Sequence, residues 1–133
     1  MRMNMFLPTL LLAAAPFTAQ AALPPAGQSF KLKVTTSFEA PFTDCWTFSS
    51  NGRFIHSPSL KNFPYQLNNL NTNANNWQAI WVGRVSIAFS GAVSGTSITG
   101  NAVDALVRTY TITGSKVSGC GAPAPQQGGW HGT

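Results

Sequence analysis

From Trp77 to Val93 the chain alternates without a break, with Trp77, Ala79, Trp81, Gly83, Val85, Ile87, Phe89, Gly91 and Val93 on one side and Gln78, Arg84, Ser86 and Ser90 among the residues between. A period of two marks a half-buried β-strand. The run is too long for one ordinary strand, so a break is expected at Gly83, where a bulge or bend costs least. Beyond it, Ser94-Gly95-Thr96-Ser97 predicts a turn, Ile98 to Val103 a short strand, and Leu106 to Thr113 another strand ending at a Gly114-Ser115 turn. Upstream, Phe30, Leu32, Val34, Thr36 and Phe38 alternate with Ser29, Lys31, Lys33, Thr35 and Ser37, and Pro41 ends that strand.

Cys45 to Ser57 reads as a hairpin around Ser50-Asn51-Gly52, and two registers compete for it. A two-residue turn at Asn51-Gly52 sets Phe48 beside Ile55. A three-residue loop gathers Trp46, Phe48, Phe54 and His56 on one face. The second is expected, because it collects three aromatics; it also turns His56 inward, where a lone histidine is more often hydrogen-bonded structure than a base. From Ser57 to Asn76 regularity falls away except for a short Tyr65-Gln66-Leu67 strand, and the asparagine-rich segment Asn68 to Asn76 predicts an exposed loop. Its amides offer a surface to a protein or glycan partner.

The ends of the chain carry different signals. Arg2, the apolar stretch from Met5 to Ala15 and Ala19-Gln20-Ala21 read as a secretory signal peptide over residues 1–21. Pro8 and Pro16 interrupt the segment and it is too short to span a bilayer, so no membrane span is expected. Residues 22–28 read as an extended leader, 29–120 as a single β domain, and 121–133, rich in glycine and proline, as a flexible tail in which Trp130 and His131 are incidental. The mature protein is therefore expected in the periplasm or outside the cell.

Removing Arg2 leaves seven lysines and arginines against Glu39, Asp44 and Asp104. These cations are scattered singly, and charged residues are 8% of the chain against about 25% in an average domain, which argues against nucleic acid as a partner. Cys45 and Cys120 are the only cysteines, so export makes a disulfide between them the expectation. Closing a loop that long contributes at most roughly 4.5 kcal/mol by chain entropy.

Three acidic residues and two histidines are a thin supply for acid–base chemistry, and no two of them are close in sequence. Asp44 and His56 could be joined with any of many serines, and that freedom empties the match of meaning, so no enzyme activity, metal or cofactor is expected. The aromatics say more. Trp46, Trp77 and Trp81 on inward faces of separate strands either fill a core or line a cavity. Ala79, Gly83, Gly91, Gly100 and Ala102 leave room beside the rings that favours the cavity.

Consecutive short strands, hairpin turns, the pattern Gly91-x-x-x-Gly95-x-x-Ile98-x-Gly100 and a disulfide together resemble small meander barrels of the calycin type, the lipocalins and avidins. The resemblance covers about Phe30 to Val117. The Gly-x-Trp motif that opens a lipocalin is absent, since Asp44-Cys45 precede Trp46, and no ligand-binding set carries over. What the likeness implies is a cavity open at one end for a small apolar or aromatic molecule. The expected fold is thus an all-β, antiparallel up-and-down barrel of seven or eight strands, with a two-sheet sandwich as the alternative. The expected function is small-molecule binding through Trp46, Phe48, Phe54, Trp77, Trp81 and Tyr110; the alternative is an envelope or inhibitor protein acting through its loops without a ligand.

Overall fold

The structure is a computed structural model and describes residues 25–68, 75–121 and 129–131. Eight antiparallel strands follow one another around a closed barrel: β1 (Ser29–Thr36), β2 (Phe42–Phe48), β3 (Phe54–Ser57), β4 (Lys61–Leu67), β5 (Asn75–Trp81), β6 (Ile87–Ser94), β7 (Ser97–Asp104) and β8 (Thr109–Val117). Each strand pairs with its sequence neighbours, and β8 closes onto β1 from Ser29↔Val117 to Thr36↔Tyr110. This is the up-and-down meander, consistent with the calycin-type resemblance, and the sandwich is excluded. Closure removes the sheet edges that a protein with so few charges would otherwise expose. Among the described residues no helix is long and apolar enough to cross a membrane.

The alternation read from the sequence sets the wall. In β1 Phe30, Leu32 and Val34 point inward between exposed Lys31, Lys33 and Thr35, and β2, β6, β7 and β8 keep the same rhythm. The run after Trp77 does break, across residues 82–86, and both sides stay in phase, with Trp77, Ala79, Ile87, Phe89 and Val93 all buried. Connections 37–41, 58–60, 82–86 and 105–108 gather at one end, called lower here, and 49–53, Asn68 and 95–96 lie at the upper end.

Three expectations need correction. The β2–β3 register is Thr47↔His56 and Phe48↔Ile55, so Ile55 is buried while Phe54 is 41% exposed and His56 faces outward. Turn chemistry overrides the aromatic count here: the Ser49 hydroxyl accepts from the backbone N–H of Arg53 and Phe54, and Ser49 C=O accepts from Gly52 N–H, which sets the register one residue away from the expected one. Gly114-Ser115 is not a turn but the middle of β8. A Cβ at Gly114 would lie 2.5 Å from Lys31 O and 2.9 Å from Ile98 Cγ2, so glycine marks a close approach of neighbouring strands. Leu106, expected in a strand, lies in the connection before β8 and is 62% exposed.

The disulfide forms between Cys45 and Cys120. Cys45 stands between inward-facing Asp44 and Trp46, hence on the outer face of β2, and Cys120 follows the end of β8. The bond therefore draws the chain across β1 and fastens it outside β2. Residues 1–24, including the signal peptide expectation, and 69–74 of the asparagine loop lie outside the described residues; Asn68 is exposed and donates its N–H to Asn76 C=O at 2.8 Å.

Candidate functional site

The barrel interior is an aromatic column. Trp46 makes edge contacts with Phe48, Phe63, Trp77 and Phe89 at centroid distances of 5.3–6.5 Å, and Phe48 meets Tyr65 at 4.9 Å. Of the small residues that suggested a cavity, Gly91 and Gly100 are where Trp77 lies. A Cβ on Gly91 would stand 2.6 Å from Trp77 Cζ2 and 2.1 Å from Thr99 O, and one on Gly100 3.3 Å from the same indole carbon. Glycine here makes room for an indole of the protein itself.

Of the residues expected to bind a ligand, Trp46, Phe48, Trp77 and Tyr110 share this interior. Phe54 does not, because the hairpin register turns it to solvent. Trp81 is half-buried and set apart: it donates its Nε1–H to Leu60 C=O at 2.8 Å and lies over Gly83. In the upper half, Gln28 Oε1, Tyr65 OH and Trp77 Nε1 are buried without a hydrogen-bond partner, all close to Phe48. Burial pushes the Tyr65 phenol above its ordinary pKa.

The lower end holds the arrangement that the sequence reading missed. Trp130, expected to be incidental, is only 3% exposed. Its ring stacks with Trp46 at 6.0 Å and meets Phe42, Phe89 and Tyr110 at 5.1–5.2 Å. Its Nε1–H donates to Asp44 Oδ2 at 2.9 Å. Asp44 is itself buried, at 5% exposure, and the same oxygen accepts from Trp46 Nε1 at 3.1 Å, Ser57 Oγ at 2.9 Å and Ser59 Oγ at 3.0 Å, while Oδ1 accepts from Cys45 N–H at 2.8 Å. A buried carboxylate is tolerated only when its lone pairs are filled in this way. The signal was present in the sequence: Phe42, Asp44, Trp46 and Phe48 alternate, and the phase that buries the aromatics also buries the acid.

The neighbouring residues lock Trp130 from outside. His131 donates its backbone N–H to Tyr110 OH at 3.2 Å and its ring contacts the Glu39 carboxylate, while Phe38 packs edge-on to both His131 and Tyr110. Tyr110 OH donates in turn to Asp104 Oδ2 at 3.0 Å, and that carboxylate also holds Arg108 Nε at 2.8 Å and the backbone N–H groups of Leu106 and Arg108. Burial acts to raise the Asp104 carboxyl, but the bonds from Arg108, Tyr110 and Leu106 outweigh it and hold it below its ordinary value. Burial, together with the bond to Asp104, pushes the Tyr110 phenol up to about 12.

His56 pairs with Asn62 on the outer face, away from Asp44, so the acid, histidine and serine that the sequence allowed to combine are not brought together. Among the described residues no cluster of histidine, cysteine and acidic side chains is arranged to hold a metal. What the socket can do chemically is recognise: aromatic faces enclose a planar ring, and one anionic oxygen accepts from a donor at its edge. Comparison of the chain with protein families, with curated proteins and with solved structures returned no match. The class is an eight-stranded antiparallel meander barrel, with an aromatic socket at its lower end that Trp130 fills.

Proposed function

We propose that the protein is an exported binding protein whose lower-end socket holds a planar aromatic group bearing an N–H or O–H donor. Trp130 is its built-in occupant. One observation carries this reading: an indole delivered by a separate C-terminal segment sits among Phe42, Trp46, Phe89 and Tyr110 with its Nε1–H on the buried Asp44 carboxylate. An occupant that arrives on its own segment is one that can leave without unfolding the wall. The site then exposed would favour indoles, phenols and aromatic amines over plain hydrocarbons. Arg2, the apolar stretch after it and Ala19-Gln20-Ala21 support export, as does the closed Cys45–Cys120 bond.

Calorimetric titration with indole and with indene, which has the same shape but no N–H, tests the proposal in wild type and in Trp130→Ala. Indole should bind both proteins, more tightly to Trp130→Ala, and indene at least tenfold more weakly than indole. Binding to Trp130→Ala alone, with wild type silent at saturating indole, would show that Trp130 is a fixed part of the core and overturn the reading. The intact mass of the exported protein should correspond to a start near Ala22.

A further inference from the structure

Burial divides the charges of this protein unevenly. Asp44 and Asp104 are 5% and 4% exposed, which leaves Glu39 as the only acidic side chain with real access to solvent, while Lys31, Lys33, Arg53, Lys61, Arg84 and Lys116 are all exposed and Arg108 is partly so. The accessible surface is thus more cationic than the formal charge suggests.

Among the described residues, the exposed large apolar side chains are also unevenly placed. Phe54 is near the upper end; Phe38, Ile80, Val82, Val103, Leu106 and Val107 are all toward the lower end. Several of them adjoin. Register places Ile80, Ala88 and Val103 side by side on the outer wall, and Ala105 N–H donates to Ser86 C=O, joining the two connections that carry Val82 and Leu106-Val107. Val107 is 78% exposed and has φ of 64°, a left-handed conformation that a β-branched residue adopts only under constraint. The constraint is the Asp104 carboxylate, which holds the N–H groups of Leu106 and Arg108 and so presents both apolar side chains to solvent at the tip. Arg84 and Arg108 flank them, and Arg108 lies over the Phe38 ring at 5.8 Å.

We infer that the lower end docks on an anionic lipid surface, with Leu106, Val107 and Val82 entering the headgroup boundary and the exposed Arg84 and Lys61 meeting lipid phosphates. Apolar side chains held outward on a rigid tip and bordered by cations match a bilayer interface, which offers hydrocarbon and negative charge within a few ångströms. Nucleic acid or a sulfated glycan would use the cations and leave the apolar tip in water. A protein partner would also cover that tip, and the experiment separates this case.

The experiment is co-sedimentation of the mature protein with vesicles of phosphatidylcholine alone or with a third of phosphatidylglycerol. Wild type should partition to the anionic vesicles and much less to the neutral ones. Leu106→Ser/Val107→Gly should lower partitioning at least tenfold with an unchanged melting temperature, since glycine accepts the φ at 107 without strain. Arg84→Gln should lower it about fivefold, and less in high salt, as expected for one cation near an anionic leaflet. The inference is overturned if wild type stays in the supernatant or if the double variant binds as well as wild type. It is equally overturned if the double variant abolishes only a self-association seen without vesicles, which would make the tip a protein interface. None of these outcomes depends on what the socket binds.

Discussion

Replacing Asp44 by asparagine keeps the side-chain volume and removes one acceptor, so its cost can be worked from the geometry. If the amide oxygen takes the Oδ2 position, the NH2 group faces Cys45 N–H, which is 2.8 Å away, and one bond becomes a donor–donor clash. If the amide is reversed, NH2 faces four donors; the hydroxyl of Ser59 can rotate to accept, but Ser57 Oγ already accepts from the N–H groups of Ser59 and Leu60, and the N–H groups of Trp46 and Trp130 cannot accept at all. The first orientation loses one bond and the second loses three, so the first is expected. Hydrogen bonds to a charged group contribute about 1.5 to 3 kcal/mol each, and the surviving bonds weaken because the acceptor is now neutral. The expected loss is about 3 kcal/mol, a large fraction of the stability of a domain this size. Urea denaturation followed by fluorescence measures it, with an unchanged m-value as the check that unfolding remains two-state. In proton NMR, the indole N–H resonances of Trp46 and Trp130 should move while those of Trp77 and Trp81 stay. A loss under about 1 kcal/mol with all four resonances in place would refute the assignment of Asp44 as the anchor of Trp130.

Other outcomes follow from the same structure. Phe48→Ala should cost about 3 to 5 kcal/mol and Phe54→Ala under about 1 kcal/mol by the same urea assay, because only the first is buried. Gly91→Ala should be severely destabilising, with loss of near-ultraviolet circular dichroism, since its Cβ would meet Thr99 O at 2.1 Å and backbone cannot yield as a flexible side chain can. The Tyr110 phenol is raised in the folded state, so the stability it contributes is full below its ordinary pKa of 10 and is lost as pH rises toward about 12. Tyr65 acts in the same direction, and Tyr110→Phe should flatten the alkaline limb of a stability profile. Asp104 is lowered, so its contribution is present above its ordinary value of 3.8 and is lost as pH falls below that through its folded pKa; Asp104→Asn should flatten the acid limb.

The wall of the barrel was legible in the sequence because alternation is a local signal, and β1, β6 and β7 keep the phase their residues predict. Pairing depends on more. The β2–β3 register turned on a hydroxyl, Ser49, whose bonds to the loop backbone are invisible to an argument about which face collects more rings. Gly114 read as a turn because glycine serves both turns and close strand contacts, and only the neighbours Lys31 and Ile98 distinguish them. Asp44 was on the inward face by its own phase, yet an acid between a proline-terminated strand and a cysteine gave no hint of five donors converging on it. Trp130 was hardest to foresee. A lone tryptophan in a glycine- and proline-rich segment has no periodicity, and its burial depends on a socket built by β2, β6 and β8.

If the socket binds as proposed, the disulfide sets how strongly Trp130 competes with a free ligand. With Cys120 fastened at Cys45, the arm to Trp130 starts three residues from Phe42 along β2, about 10 Å from the socket. Nine residues, 121–129, separate Cys120 from Trp130, and a chain of that length spans about 17 Å on average, which is enough for the gap and corresponds to an effective concentration in the millimolar range. A soluble aromatic molecule would have to out-compete that intramolecular rival, and its apparent affinity would be reduced accordingly. Reduction would move the start of the arm to Val117, at the opposite end of β8, about 24 Å of strand away from Tyr110 in the socket. The rival would then be diluted, and the thiol state of two cysteines on the outer wall would set the threshold ligand concentration at which the socket fills.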